Sequence, residues 1–108
     1  MTVYVIQEVK GRNILPAKEY GDLVLLLSEG SQVVLSSQPT VSKLRRKLRD
    51  YNDNDYLLLM GDPVAMGIAC AIASDVNRGR IQCLKWDKME MRYYPVKFNL
   101  FEKGEIDD

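Results

Sequence analysis

Tyr56-Leu57-Leu58-Leu59-Met60-Gly61-Asp62-Pro63 is the stretch on which the fold turns. Its first five residues are continuously apolar or aromatic, the composition of a strand buried on both faces, as in a parallel sheet. Gly61 permits a sharp turn, Asp62 offers an oxygen to cap a helix, and Pro63 suits a first helical position, where its missing N–H has no partner to lose. A strand therefore hands over to a helix within three residues. That helix is predicted from Pro63 to about Asn77, with Gly79 as a left-handed cap. Arg80 to Trp86 follows as a strand, so Tyr56 to Trp86 reads as a βαβ unit with parallel strands and a right-handed crossover.

Upstream, Thr2 to Val9, Leu23 to Leu27 and Gln32 to Ser36 are short runs rich in Val, Ile, Leu and Tyr, bounded by Gly11, Gly21 and Gly30, and read as three antiparallel strands, the second and third linked as a hairpin. Lys10 to Tyr20, with Gly11 and Pro16, is a long connection with an extended piece at Ile14 and Leu15 and no helix; a connection of that length is functional or packed by its own side chains. Thr40 is the expected N-cap of a first helix, whose apolar stripe runs Val41, Leu44, Leu48, Tyr51. Tyr51-Asn52-Asp53-Asn54-Asp55 ends it in turn-forming side chains. Downstream, Arg80 to Trp86 and Met89 to Lys97 pair around Asp87-Lys88, and residues 102–108 form an acidic tail expected to be disordered.

The expected architecture is one domain over residues 1–101, α/β at the border of α+β, with a mixed sheet of about five to six strands and two helices in the order βββαβαββ. The same order occurs in ribonuclease H-like domains, an analogy of fold that carries no function. A nuclease of that kind needs an inward Asp on the first strand for metal-assisted hydrolysis, and Thr2 to Val9 offers only Glu8, at its end.

Composition narrows the chemistry further. The 108 residues contain no His, which removes imidazole acid–base catalysis, Ser-His or Cys-His nucleophiles and imidazole metal sites, and the two Cys cannot build a structural zinc site. Fifteen Lys plus Arg against fifteen Asp plus Glu leave no net charge, which argues against a whole surface devoted to nucleic acid or anionic lipid. The longest near-continuous apolar stretch, Pro63 to Ala73, has eleven residues, against roughly 20 needed to cross a bilayer. It reads as a core helix. Gln7 and Glu8 break the apolar start that an export signal requires, so a cytoplasmic protein is expected. In that reducing setting Cys70 and Cys83 are expected to remain thiols.

Five local features invite a function. Lys43, Arg45, Arg46, Lys47 and Arg49 place five cations within seven residues, filling the arc left by the apolar stripe of the first helix. Such a face can follow a nucleic-acid backbone or dock on an acidic partner, and its ordinary alternative is a solvated helix surface. Gly61-Asp62-Pro63 lies where open α/β sheets often bind ligands, but Pro63 removes a donor and the Asp62 carboxylate both fills the cap and repels an anion, so capping is the expected role. Asp50, Asn52, Asn54 and Asp55 have alternating oxygen ligands, yet a calcium loop starting at Asp50 needs Gly sixth and Glu twelfth, where Asp55 and Gly61 stand. The second helix carries Ala65, Ala69 and Ala73 on one stripe and Gly67 and Ala71 beside it, a surface to be buried in the monomer or, alternatively, in a homodimer.

The last strand pair concentrates Trp86, Met89, Met91, Tyr93 and Tyr94, large side chains that dominate interfaces. One face of the hairpin enters the core, and the remainder is the expected protein-interaction surface. No catalytic residue, metal ligand or cofactor is assigned. The expected function is non-catalytic binding through protein contacts, with nucleic-acid binding by the basic helix 40–51 as the alternative.

Tyr56 to Pro63, together with Leu84-Lys85-Trp86-Asp87 and Arg92-Tyr93-Tyr94-Pro95-Val96, also resembles small proteins of tailed marine bacteriophages across most of the chain. The resemblance carries no motif of known chemistry. It implies action in an infected host cytoplasm, in host takeover or nucleic-acid handling.

Overall fold

The computed structural model describes residues 1–30 and 38–102. Five strands form one sheet: β1 (Thr2–Gln7), β2 (Asp22–Leu27), β3 (Tyr56–Leu58), β4 (Arg80–Asp87) and β5 (Arg92–Asn99). Two α-helices, α1 (Gln38–Leu48) and α2 (Pro63–Val76), and a 3-10 helix at Leu15–Tyr20 complete the described elements. The strands lie in the order β2-β1-β3-β4-β5. β1 is parallel to both β2 and β3, β3 is parallel to β4, and β4 and β5 are antiparallel. The predicted strand Gln32 to Ser36, its hairpin with the second strand and the tail 103–108 lie outside the described residues.

The βαβ unit is as expected. Asp62 Oδ1 accepts from Val64 N at 2.8 Å, and Gly79, at φ +82°, donates its N–H to Ser74 O at 2.8 Å. The first two strands differ from expectation: they are parallel, in register from Thr2 opposite Asp22 to Gln7 opposite Leu27. Parallel neighbours need a crossover of about a dozen residues or more, and the long connection after β1 supplies one. Its 3-10 helix, with Pro16 in the first turn where a helix was not expected, buries Ala17 on the sheet. That arrangement removes the analogy to ribonuclease H-like domains.

β1 shows why the sheet has two covers. Tyr4 and Ile6 face a core built with Leu44 and Leu48 of α1 and Ala65, Ala69, Ile72 and Ala73 of α2. Val3 and Val5 face a second core with Ala17, Leu58, Met60, Leu84 and Tyr93. Strand alternation thus serves both faces, and β1, with Val3 to Ile6 all buried, is covered on each side. The Ala65, Ala69 and Ala73 stripe is buried inside the monomer, while Gly67 and Ala71 remain exposed. Cys70 and Cys83 are free thiols.

Boundaries moved where side chains take over from the ladder. α1 begins at Gln38, which places Thr40 in its first turn rather than at its cap. β5 begins at Arg92, because Asp87 Oδ1 accepts from Met89 N at 2.9 Å and Glu90 N at 3.2 Å and so holds residues 88–91 in a turn. Met91 closes that turn in a left-handed conformation, φ +54°.

Candidate functional site

The chain leaves β1 for β2 across one face and returns over the other to β3. Crossovers of one hand in opposite directions must use opposite faces, so they diverge at the carboxyl ends of β1 and β3, the place where open α/β sheets bind ligands. Here that junction is closed by Gln7, 5% exposed. Its Nε2 donates to Ser28 O at 3.1 Å and its Oε1 accepts from Asp62 N at 2.7 Å, tying the ends of three strands together. Gly61, at φ +102°, lies so close that an added Cβ would meet Gln7 Cβ at 2.4 Å. With Asp62 occupied as a cap, this part of the edge has no vacant anion donor of the usual kind, as the residues Gly61-Asp62-Pro63 predict.

A shallow depression of about 510 Å3 runs over Gln7, Lys10, Glu29 and Asp62. Along the same edge, Val9 and Gly61 are shared with a second depression, and Arg12, Leu59 and Met60 connect that one to a cavity of about 410 Å3 beneath Trp86. The carboxyl ends of the parallel strands therefore carry a row of neighbouring depressions, with Lys10, Glu29 and Asp62 around the one over β1 and β2 and Trp86, Met91 and Tyr93 around the one over β3 and β4.

The predicted interaction residues divide at the cavity over β3 and β4. Trp86, Met91 and Tyr93 line the cavity, and the Trp86 and Tyr93 rings meet edge-to-face with centroids 4.9 Å apart. Trp86 is 38% exposed, Met91 68% and Met89, at the tip of the turn, 91%. Tyr93 is instead a core residue, 6% exposed, because it pairs with Trp86 on the sheet face that Ala17 and Met60 cover. Tyr94 alternates to the opposite face, opposite Lys85. Sequence reasoning missed Gln7, Arg12, Leu59 and Met60; the length of the connection after β1 was the signal that pointed towards Arg12.

The basic helix face is partly consumed within the molecule. Arg45 Nη1 meets Asp75 Oδ2 at 3.0 Å and Arg49 Nε lies 3.9 Å from Asp50 Oδ2. Lys47 Nζ donates to the carbonyls of Leu25 and Leu26, at 3.3 and 3.1 Å, and covers the outer side of β2. Partial burial first, then the like charges of Lys43 and Arg46, lower its pKa. Arg46 remains exposed and Lys43 is half-buried.

The oxygen-rich turn after α1 is structural. Asp55 accepts from Thr2 N at 3.0 Å and Asn52 N at 3.1 Å, while Asp53 Oδ1 accepts from Asn77 Nδ2 and Arg80 Nε, both at 2.9 Å. The Arg80 and Asn77 hydrogen bonds hold the Asp53 carboxyl below the usual range. Among the described residues no group of three or more Cys, Asp or Glu is placed to hold a metal ion, and no helix is long and apolar enough to cross a membrane.

No curated protein and no solved structure matches the chain. A family model does, that of the Phage Pam3 gp32-like protein, over residues 1–100. This agrees with the resemblance to small bacteriophage proteins carried by Tyr56 to Pro63 and the strand pair that follows, and the chain belongs to the Phage Pam3 gp32-like protein family.

Proposed function

We propose that this phage protein is a non-catalytic binding protein, acting in the host cytoplasm as an accessory or host-modulating factor, and that it contacts a protein partner through Trp86, Met89 and Met91. One observation supports this reading above the rest. Three large apolar side chains, Trp86 at the end of β4 and Met89 and Met91 in the turn after it, stand at least 38% exposed, and one of them, Met91, occupies a left-handed position at φ +54°, which costs an ordinary residue roughly 1 kcal/mol. Exposed aromatic and Met side chains at a cavity mouth are the usual anchors of protein contacts.

The test is capture from infected-cell extract, with Met89→Asp/Met91→Asp beside the parent and light scattering of each alone. The parent is expected to retain a stoichiometric protein that the variant loses at unchanged melting temperature. Equal capture by both would sink the proposal. A second reading, nucleic-acid binding by α1, is favoured by the positive charges of Lys43 and Arg46 crowded around Lys47, which add to partial burial in lowering its pKa. Fluorescence anisotropy of short DNA and RNA separates the two. Binding by α1 requires affinity that falls with salt by about 0.7–0.9 in log K per log salt for each phosphate contacted and disappears in Lys43→Glu/Arg46→Glu/Arg49→Glu.

A further inference from the structure

We propose that the cavity beneath Trp86 binds a nucleotide, with the base against the Trp86 ring and the Tyr93 hydroxyl and the phosphate on Arg12. The cavity measures about 410 Å3 and opens at the carboxyl ends of β3 and β4, within the roughly 300–1,000 Å3 of small-molecule sites and at the edge of the sheet where such sites form. Arg12, Asn13, Met60, Trp86, Met91 and Tyr93 contribute to its wall, and no carboxylate does. In a chain with equal numbers of acidic and basic residues, that is a local excess of positive charge.

Arg12 is available for an anion. Arg45, Arg80 and Arg92 each sit on a carboxylate at 3.0 Å or less, whereas Arg12 makes no ion pair among the described residues. Lys85 also borders the cavity, but alternation along β4 turns its side chain to the face opposite Trp86, so the charge is assigned to Arg12 alone.

Tyr93 specifies the other half of the ligand. It lines the cavity and is 6% exposed, yet its hydroxyl has no hydrogen-bond partner among the described residues. The ring is buried but the oxygen itself still reaches solvent at the cavity, where an occupant can take the place of water. Both side chains line the cavity, where burial raises the Tyr93 pKa and the charge of Arg12 opposes it. A ligand that satisfies both needs an anion for Arg12 and a hydrogen-bonding edge for Tyr93 and the Asn13 amide. Between them, Trp86 offers an aromatic surface of the kind on which bases stack. A plain aromatic acid supplies the anion and the ring but no hydrogen-bonding edge; a nucleotide supplies all three groups.

The experiment titrates Trp86, the only tryptophan in the chain, by fluorescence, with calorimetry in parallel. The probes are AMP, GMP, CMP and UMP, with adenosine, N-acetylphenylalanine and an RNA tetranucleotide for comparison. At least one monophosphate is expected to quench Trp86 saturably. Adenosine and N-acetylphenylalanine should bind at least ten-fold more weakly. Arg12→Gln should weaken the monophosphate at least ten-fold and Tyr93→Phe several-fold, both with unchanged circular dichroism. A tetranucleotide that binds more tightly, and loses that binding in Arg12→Gln, supports the same chemistry with a strand as its source. The proposal is overturned by no saturable binding of any monophosphate or of the tetranucleotide, by binding that Arg12→Gln leaves intact, or by N-acetylphenylalanine binding as well as the nucleotides. Trp86 and Met91 belong to both the cavity wall and the protein contact, and the single variants separate the two readings: Met89→Asp changes only the tip of the turn, and Arg12→Gln only the cavity.

Discussion

Replacing Gln7 by Leu tests whether one buried amide holds the carboxyl ends of β1, β2 and β3 together. The substitution keeps most of the volume and removes two hydrogen bonds, Gln7 Nε2 to Ser28 O at 3.1 Å and Asp62 N to Gln7 Oε1 at 2.7 Å. Each is worth ~1 kcal/mol net, and a partner left unpaired away from water costs ~1–3 kcal/mol. Ser28 is exposed, so its carbonyl recovers water and contributes little of that penalty. The Asp62 N–H, at the entrance to α2, bears most of it. The expected loss is ~2–4 kcal/mol, which lowers the melting temperature of a domain this size by roughly 10–25 °C. Urea denaturation with linear extrapolation and a thermal melt would measure it, with Gln7→Glu as a companion that keeps the acceptor and loses the donor. Amide exchange at Asp62 should accelerate in Gln7→Leu more than exchange at Val5. Stability within about 0.5 kcal/mol of the parent would refute the reasoning, since the amide would then add nothing beyond its volume.

Two further predictions concern protons. Burial pushes the Tyr51 hydroxyl up to about 12, against an ordinary value of 10.0. The folded state therefore keeps a proton that the unfolded state loses, so this contribution is complete below pH 10.0 and disappears as the pH rises through about 12. Tyr51→Phe loses the 3.1 Å bond from Gln82 N and should be ~1 kcal/mol less stable at pH 7. Its stability should decline less steeply than the parent's across the alkaline range, and parallel curves would contradict this. The second concerns Cys70, partly exposed on α2 and hydrogen-bonded to the buried Cys83 thiol, which lowers the Cys70 pKa and raises that of Cys83. Iodoacetamide should modify Cys70 first, and Cys83→Ala should move the inflection of its rate to higher pH; an identical profile would show that the thiols do not interact.

Much of the local structure was written in short stretches. Asp62, Pro63 and Gly79 announced the two ends of α2, and Val41, Leu44 and Leu48 announced the buried side of α1, because caps and helical periodicity depend on residues a few positions apart. The absence of His and the balance of charge bounded the chemistry in the same way. Pairing between β1 and β2 was not legible. Val, Ile and Leu in a strand look alike whether the neighbour is parallel or antiparallel, and the outcome depended on how the connection containing Ala17 packed across the sheet. The candidate site was legible in half. Trp86, Met89 and Met91 were named from their size and position, yet Tyr93 in the same run is buried and Tyr94 faces the other side. Arg12 and Trp86 stand 74 residues apart in sequence and share a cavity. Composition and periodicity determined which elements form; strand order, and with it the row of depressions, was decided by tertiary packing, because a side chain's neighbours across a sheet are set by crossovers whose course no local pattern encodes.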